Sequence, residues 1–359
     1  MRHIFYPAVG PYSIRQHSEG PWRHPTHWMD PEVEETFTPY ALLSYALWAK
    51  AHWPWEREQH CLLGDSGGYS LVSRQTKIDP ERVLRWQIRK CRVGLMLDVP
   101  PYRPGSSIQF SGTAAQYWGE SLKRSVRNVE RCLPTYLESE DFSWWGVIQG
   151  ETYGQMEEWH GRISEVYPFV GEGEGWALAP KPSTDLLSLT RYLRFARDAG
   201  IRRLHILQVT KPALLGVAFS FAKLSGAFDL ITYDSATATR CAINRNCVVA
   251  HELDFDFLRQ KEMKGPVTDY LLSTDHPAAR YFQDAYPLLN REFPHYLLLY
   301  NHKAMEGVFE NVFQASLEDP DRMLRLFGGK RYGKMMREWE GTTTIPKPQY
   351  KKVSLFDRL

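Results

Sequence analysis

Three aspartates each end an apolar segment of the chain. Asp65 follows "CLLG", Asp98 follows "VGLML" and Asp234 follows "FDLITY". If these segments are strands of one parallel barrel, the three carboxylates face a common cavity at its carboxyl end. Clustered carboxylates repel one another and raise each other's pKa, so such a group points to a chemical use. One use is attack at an anomeric carbon, with one carboxylate as nucleophile and another managing the leaving-group proton.

Two glycines follow the first of these aspartates. Gly67 and Gly68 in "DSGGY" carry no side chain, so a planar ligand can approach their backbone closely. A simpler interpretation is a turn in which Asp65 caps the next helix. The aspartates that end two other segments favour a shared site over capping alone.

The elements that would position these residues alternate along the chain. Amphipathic stretches predict helices, and apolar runs predict strands at 61–65, 93–99, 144–150, 175–180, 203–209 and 228–234. A doubly wound sheet and a (β/α)8 barrel both fit this rhythm. No glycine-rich dinucleotide fingerprint follows the first strand. Gln149 and Gln208 end two further runs, as the aspartates do, and this placement favours the barrel.

We therefore predict an α/β protein, a (β/α)8 TIM barrel with N-terminal and C-terminal elaborations. Residues 1–58, rich in Pro, His and Trp, form the N-terminal elaboration in this prediction. Residues 59–300 form the barrel domain, with flanking segments supplying the remaining strands. Residues 301–359 form a C-terminal helical and basic tail segment.

Composition limits the classes of function. The chain has 359 residues, 43% of them hydrophobic, so it can bury a sizeable core. Its 44 Lys and Arg against 42 Asp and Glu give no global attraction for a polyanion, so a nucleic-acid surface must be local. Five cysteines form no CxxC pair, which fits a reduced protein. With no signal pattern and no long apolar span, we expect a soluble cytoplasmic protein without a membrane partner.

Four segments, taken in order, carry a resemblance to a known family. They are "DSGGY" at 65–69, "IQG" at 148–150, "HILQVTKP" at 205–212 and the loop from Asp234 to Arg240. In this order and spacing they resemble the tRNA-guanine transglycosylase superfamily, over roughly residues 60–250. That superfamily has a (β/α)8 barrel and exchanges guanine in a nucleic acid for a 7-deazaguanine base.

The resemblance implies a role for each carboxylate. Asp234 matches the nucleophile that attacks C1′ of the target nucleoside and forms a covalent glycosyl-enzyme intermediate. Asp65 matches the general acid/base that handles the proton of the departing and incoming bases. Asp98 and Gln149 match positions that hydrogen-bond the edge of the base.

The resemblance also implies a pocket for the ring and a contact to the substrate. Tyr69 and Leu207 match positions that sandwich the ring, and Arg240 matches a substrate-contacting position after the nucleophile. Together with Asp98 and Gln149, the implied base-binding set is Tyr69, Gly67, Gly68, Leu207, Gln208, Ala177 and Leu178.

Two departures from the family concern the pocket and a metal. Where the family has a pair of glycines in its base-binding strand, this chain has "WALAP", with Ala179 and Pro180, which predicts a different pocket shape. The tRNA enzymes also carry a structural zinc on a CxCxxC motif and a histidine. Here only His276 and His302 are candidate ligands, and a structural zinc site needs four, so we expect no metal and no other cofactor.

The missing cysteine triad and the unusual N-terminus favour the DNA-guanine transglycosylase branch. That branch inserts 7-deazaguanines into DNA in phages and bacteria. The resemblance thus implies DNA and a free base such as 7-cyano-7-deazaguanine as partners, in a bacterial cell or a phage-infected host. A guanine in a duplex must be flipped out to reach a barrel mouth. Candidate residues for holding the DNA backbone near Tyr332 and Trp339 are Lys330, Arg331, Lys334 and Arg337.

Other functions remain open from the sequence. The nearest alternative is the same exchange on tRNA guanine. A second is a catalytically inactive superfamily subunit, although the retention of both Asp65 and Asp234 argues against it. A third is an unrelated barrel glycosidase that uses the same two carboxylates. The oligomeric state is also open.

Overall fold

Eight parallel strands form a closed barrel in chain order. The computed structural model describes residues 1–10, 29–31, 34, 37–51, 57–73, 77–102, 115–179, 185–209, 211–259, 265–285 and 293–341. The barrel strands are β1 (Arg2–Val9), β2 (Tyr40–Ser44), β3 (Cys61–Asp65), β4 (Val93–Leu95), β5 (Ser143–Ile148), β6 (Gly175–Leu178), β7 (Arg203–Ile206) and β8 (Leu230–Ser235). A separate antiparallel hairpin follows, made of β9 (Asn246–Ala250) and β10 (Phe255–Arg259). The predicted (β/α)8 barrel is confirmed.

Helices surround the barrel. Within the described residues they are α1 (Tyr45–Trp48), α2 (Gly68–Ser73), α3 (Pro80–Lys90), α4 (Ala115–Leu137), α5 (Tyr153–Ser164), α6 (Leu186–Asp198), α7 (Pro212–Ser225), α8 (Thr237–Ile243), α9 (Pro266–Ser273), α10 (Arg280–Ala285), α11 (Phe293–Glu318), α12 (Pro320–Gly328) and α13 (Tyr332–Glu340). Short 3-10 turns span Arg57–Gln59, Pro277–Ala279 and Gly329–Arg331. In the part of the chain that the structure describes, no helix combines the length and apolar character needed to cross a membrane.

Local signals set where these helices begin and end. Before α5, the Thr152 side chain accepts a hydrogen bond from the Gln155 N–H, and the Gln155 side chain accepts one from the Thr152 N–H. This reciprocal pair is a capping box, which satisfies two N–H groups that the helix cannot. Helix α7 begins at Pro212, and the residue that caps its C-terminus is Gly226, whose φ of 61° is the left-handed conformation that glycine tolerates.

Two of the barrel strands lie in the region predicted as an N-terminal elaboration. Strands β1 and β2 both fall within residues 1–58, so this flanking segment supplies the two strands that complete the barrel. β1 pairs with β8 over six residues, from Arg2 with Leu230 to Pro7 with Ser235, and this pairing closes the barrel. The sequence "RHIFYPAV" concealed this strand, since Pro and His interrupt its apolar run.

The six predicted strands agree with the observed strands, whereas the predicted boundary at residue 300 falls inside a helix. Each of the six predicted strands overlaps one of the strands from β3 to β8, and β3 has the predicted bounds. The boundary at residue 300 falls inside α11, which packs against α7, α8 and β9. Helices α12 and α13 then pack on α7 and α6, on the outside of the barrel.

A buried carboxylate hydrogen-bonds several elements at the amino end of the barrel. Glu174 directly precedes β6 and is 5% exposed. Its carboxylate accepts hydrogen bonds from the hydroxyls of Tyr136 and Tyr167 and from the Gly171 N–H. This carboxylate therefore joins the end of α4 to the loop before β6, and its loss would leave three donors without their acceptor.

We expect Glu174→Ala to lower the free energy of unfolding by about 3 kcal/mol, since it removes three hydrogen bonds at a buried position. Urea unfolding followed by tryptophan fluorescence measures this change. Glu172→Ala, two residues away and exposed, serves as the matched control and should change stability by less than about 0.5 kcal/mol. Equal stabilities of the two variants would contradict the structural role of Glu174.

Candidate active site

Polar side chains from four strands gather at the carboxyl end of the barrel. Asp65 is the last residue of β3, Asp98 lies three residues beyond β4, Gln149 directly follows β5 and Asp234 lies within β8. The negative charge of Asp234 acts on Asp65, and that of Asp65 acts on Asp98. The structure therefore brings together the three aspartates that the sequence predicted as one site.

The Asp234 carboxylate is anchored through one of its two oxygens. Asp234 is 3% exposed, and its Oδ1 accepts a hydrogen bond of 2.8 Å from the Gln208 N–H. Oδ1 also lies 3.2 Å from Nε2 of His205, a histidine with no exposed surface. No hydrogen bond from the described residues reaches Oδ2. One oxygen is thus fixed, and the other remains available to a reaction partner.

An unusual backbone conformation aims the Gln208 N–H at Asp234. Gln208 has a φ of 58°, the left-handed region that a residue with a Cβ adopts at an energetic cost. The next residue, Val209, donates its N–H to the Asp234 carbonyl at 2.7 Å. The turn after β7 therefore wraps around the end of β8 and holds Asp234 through both its side chain and its backbone.

A hydrogen-bonded chain continues below Asp234 into the barrel. Nδ1 of His205 lies 2.8 Å from the Thr232 hydroxyl, and these two residues are paired across β7 and β8. The ring of Tyr6 on β1 meets the His205 ring edge-on, with centroids 6.3 Å apart. These side chains fill the barrel interior directly beneath the carboxylates.

Asp98 and Gln149 form a second, buried pair. Gln149 Nε2 donates to Asp98 Oδ2 at 2.6 Å, and the two residues are 6% and 2% exposed. Burial raises the pKa of Asp98 from 3.8 to about 7, an effect that the hydrogen bond from Gln149 opposes and the charge of Asp65 reinforces. Gln149 Oε1 has no hydrogen-bond partner among the described residues. Both side chains can therefore receive hydrogen bonds from a ligand in the mouth.

The surroundings of Asp65 raise the pKa of its carboxyl group. Loss of hydration raises its pKa first, and the nearby charge of Asp234 raises it further. Hydrogen bonds from the Ser44 side chain and the Gly67 backbone oppose this rise in pKa. Because Ser44 pairs with Asp65 across β2 and β3, the barrel register itself supplies one of these donors.

Gly68 is required by the packing of Asp98. A Cβ added at Gly68 would lie 2.7 Å from Asp98 Oδ1 and 2.8 Å from the Asp98 carbonyl oxygen. Gly67 has a φ of 78°, which favours glycine for a separate reason. The close approach that the sequence predicted for a ligand is therefore made at Gly68 by Asp98 itself.

Residues predicted for the ring pocket divide between the two faces of their strands. Ala177 pairs with His205, whose ring lies inside the barrel, so Ala177 also faces inward. Leu178 is the next residue on β6, so its side chain faces outward into the core and only its backbone can face the mouth. Leu207 is partly buried against the core. The side chain of Tyr69 lies outside the described part of the chain.

The predicted basic residues are exposed. Arg240 lies on α8, a short helix rather than a loop, and its side chain faces solvent. On and before α13, the exposed basic side chains are Lys330, Arg331, Lys334 and Arg337. Arg331 pairs with Asp185, the N-cap residue of α6, at 3.2 Å. Helix α6 follows β6, and helices that follow barrel strands begin at the face where the strands end. The Arg331–Asp185 pair therefore places the start of α13 near the rim of the mouth.

Trp339 is not part of this basic surface. It is 7% exposed, stacks on Phe221 with centroids 4.3 Å apart, and lies beneath the Arg197 guanidinium. The prediction that it interleaves with the basic residues is wrong, because helical periodicity places it on the face that packs against α6 and α7. Tyr332 is half-buried and contacts Arg325.

The two candidate zinc ligands have other contacts. His276 Nδ1 accepts a hydrogen bond from the Ala278 N–H and caps a 3-10 turn. His302 is fully buried, its ring lies against Phe5, and burial lowers its pKa to about 4. Among the described residues, no group of three or more His, Cys, Asp or Glu side chains is arranged to hold a metal ion.

His205 is the residue that the sequence analysis missed. It lies in the quoted segment "HILQVTKP", yet no role was assigned to it. The available signal was its position, two residues before Leu207 in an apolar strand and therefore on the same face. Thr232 stands in the same relation to Asp234. A polar residue two positions before a predicted site residue on a strand lies on the same face, and this indicates that it can hydrogen-bond the site from inside the barrel.

Comparison with known proteins adds no assignment. The chain matches no protein-family model and no curated protein. The fold and the geometry of the mouth are therefore the observations from which a function can be argued.

The raised pKa of Asp98 predicts a pH-dependent penalty in stability. Folded Asp98 keeps its proton up to about pH 7 and unfolded Asp98 only up to 3.8, so its contribution is present at low pH and is lost as the pH rises through 7. We expect Asp98→Asn to gain about 2–3 kcal/mol relative to wild type between pH 5 and pH 8. Urea unfolding at both values measures this gain.

Asp229→Asn is the control for this experiment, because Asp229 is exposed and its pKa is lowered by Arg202. It should show no gain between pH 5 and pH 8. An Asp98→Asn variant whose stability relative to wild type is equal at the two pH values would contradict the buried, proton-holding state of Asp98.

Proposed function

We propose that this protein is a base-exchange transglycosylase that replaces guanine in DNA with a 7-deazaguanine derivative, through a covalent intermediate on Asp234. The observation that carries the proposal is the Asp234 carboxylate, buried with Oδ1 anchored and Oδ2 open, beside a second carboxylate of raised pKa. A pair of this kind suits substitution at an anomeric carbon in two steps. The resemblance of the four segments to guanine transglycosylases agrees with it.

In the first step, Asp234 Oδ2 attacks C1′ of the target nucleoside. A bond forms between Oδ2 and C1′, and the bond between C1′ and N9 of guanine breaks. The departing base keeps that electron pair and receives a proton from Asp65. The raised pKa of Asp65 keeps more of it protonated near neutral pH than an ordinary aspartate, which suits it to this role.

The second step reverses these roles with a different base. The incoming 7-deazaguanine loses the proton on N9 to Asp65, which is now ionised, and N9 attacks C1′. The bond between C1′ and Asp234 breaks, and the carboxylate is released with its electron pair. Because both steps break and form bonds only at C1′, the sugar–phosphate chain stays intact throughout.

Asp98 and Gln149 are suited to recognise a feature common to both bases. Guanine and 7-deazaguanine share an N1–H and an exocyclic amine on one edge. The carboxyl oxygens of Asp98 and the unpartnered Gln149 Oε1 offer acceptors for such donors, in a site removed from water. The same pair can thus hold the departing and incoming bases, which differ at position 7.

The choice of DNA rests on the departures from the tRNA enzymes and on the basic start of α13. A base inside a duplex must be flipped out, and unstacking costs about a few kcal/mol that phosphate contacts can offset. Lys330, Lys334 and Arg337 are exposed and form no ion pair with any residue that the structure describes. They lie on α13 and the turn before it, and Arg331 in that turn pairs with Asp185 at the N-terminus of α6, near the mouth.

Asp234→Ala should abolish exchange, because it removes the nucleophile while leaving the polymer surface intact. Purified protein is incubated with labelled 7-cyano-7-deazaguanine and duplex DNA, single-stranded DNA or tRNA, and label in each polymer is counted. A covalent protein–DNA adduct on a denaturing gel reports the intermediate directly. Asp229→Asn, an exposed aspartate just before the same strand, is the control and should retain full activity.

Each outcome of this assay has a distinct meaning. Label in DNA that vanishes with Asp234→Ala would support the reaction and the polymer together. Label in tRNA alone would retain the reaction and replace the polymer. Activity of Asp234→Ala within tenfold of wild type would remove Asp234 as nucleophile, and no label in any polymer would favour an inactive subunit.

Charge reversal on α13 should weaken DNA binding. We expect Lys334→Glu with Arg337→Glu to lower affinity for a DNA duplex at least about tenfold and to reduce the slope of log affinity against log salt by about two. Fluorescence anisotropy at several salt concentrations measures both quantities. Arg85→Glu with Arg89→Glu on α3 is the matched control, and an equal loss in both double variants would contradict a localised surface.

A further inference from the structure

We propose that His205 is the positioning residue of Asp234, and that the Thr232 hydroxyl fixes its orientation. This inference rests on the proposed function, because it assigns a purpose to the groups beneath the nucleophile. The three side chains form a continuous line from the barrel interior to the mouth, with His205 0% and Thr232 2% exposed. The line joins two neighbouring strands at the level where His205 and Thr232 pair.

The donors and acceptors of this line follow from its chemistry. An ionised Asp234 can only accept, so His205 donates Nε2–H to Oδ1 over 3.2 Å. Nδ1 of the neutral ring is then an acceptor, and the Thr232 hydroxyl, 2.8 Å away, donates to it. The two contacts are satisfied together only when the ring carries its proton on Nε2. The arrangement therefore selects one tautomer of His205.

Thr232 has a second acceptor within reach. Its hydroxyl oxygen lies 3.4 Å from the Leu204 carbonyl oxygen. If His205 loses its acceptor role, the Thr232 hydroxyl can turn to this carbonyl, so no buried hydroxyl is left without an acceptor. A variant that removes the imidazole therefore leaves the fold around Thr232 hydrogen-bonded.

Two donors hold one oxygen of Asp234 from different directions. The Gln208 N–H approaches Oδ1 from the turn after β7, and His205 Nε2–H approaches it from inside the barrel. With Oδ1 occupied twice, rotation of the carboxyl group is restricted and Oδ2 is the oxygen presented to the mouth. A carboxylate held in its attacking orientation reaches the transition state with less loss of freedom.

The strained turn at Gln208 is consistent with this purpose. Its left-handed φ is unfavourable for a residue with a side chain, yet it directs the N–H at Oδ1.

The experiment compares variants of His205 and Thr232 in the base-exchange assay with DNA. We expect His205→Phe to lower kcat about 100-fold, the scale of a misplaced reacting group, with unchanged KM for the free base and unchanged DNA affinity. His205→Gln keeps an N–H donor and should recover at least about tenfold of that loss, and Thr232→Val should lose about tenfold, the worth of one neutral hydrogen bond.

A second readout does not depend on activity. In the wild-type protein labelled with 15N-histidine, a long-range proton–nitrogen spectrum reports the tautomer of each ring, and the His205 signal is assigned by its disappearance in His205→Gln. We expect the Nε2–H tautomer. A ring protonated on Nδ1 alone would overturn the inference whatever the activity, because that tautomer cannot donate to Asp234.

The kinetic outcomes distinguish this inference from the proposed function. If wild type exchanges bases and His205→Phe stays within threefold of it, the positioning role is overturned and the proposed function stands. If His205→Phe and His205→Gln are equally impaired, a donor to Asp234 is not what His205 supplies, and the inference is again overturned. If wild type exchanges no base in any polymer, the proposed function fails and the positioning role fails with it.

Discussion

The pairing of β8 with β1 is the constraint on which the rest of the structure depends. Six residue pairs, from Arg2 with Leu230 to Pro7 with Ser235, join the first barrel strand to the last and close the barrel. This register places Asp234 beside Tyr6. A shift by one residue would turn Asp234 away from the barrel interior, since successive side chains on a strand face opposite sides.

Three carboxyl groups are buried close together at the mouth of the barrel. Burial opposes ionisation of Asp65 and Asp98, and the charge of each neighbour adds to that opposition. Each carboxyl group has its own hydrogen-bond donors. Asp98 is held by Gln149, and Asp65 by Ser44 and the Gly67 N–H. Asp234 is held by His205 and the Gln208 N–H. Carboxyl groups with the same chemistry are therefore held by different donors and in different orientations, as the proposed acid/base and nucleophilic roles require.

The sequence predicted the barrel and its carboxylates from local patterns, and its errors have physical causes. Strands β3 to β8 were recognisable because their apolar runs are short, continuous and bounded by turns. Strand β1 was not, because Pro7 interrupts its apolar run. Trp339 was assigned to a surface because its partners, Phe221 and Arg197, are distant in sequence.

The sequence by itself determined the fold class and placed Asp65, Asp98, Gln149 and Asp234 at the carboxyl ends of strands, since strand periodicity and end residues are local properties of the chain. Only the tertiary structure decided which oxygen of Asp234 is held, that Gly68 makes room for Asp98, and that His205 and Thr232 lie beneath Asp234. Each of these relations joins residues of different strands. They depend on barrel register and side-chain direction, which are settled only when the sheet closes.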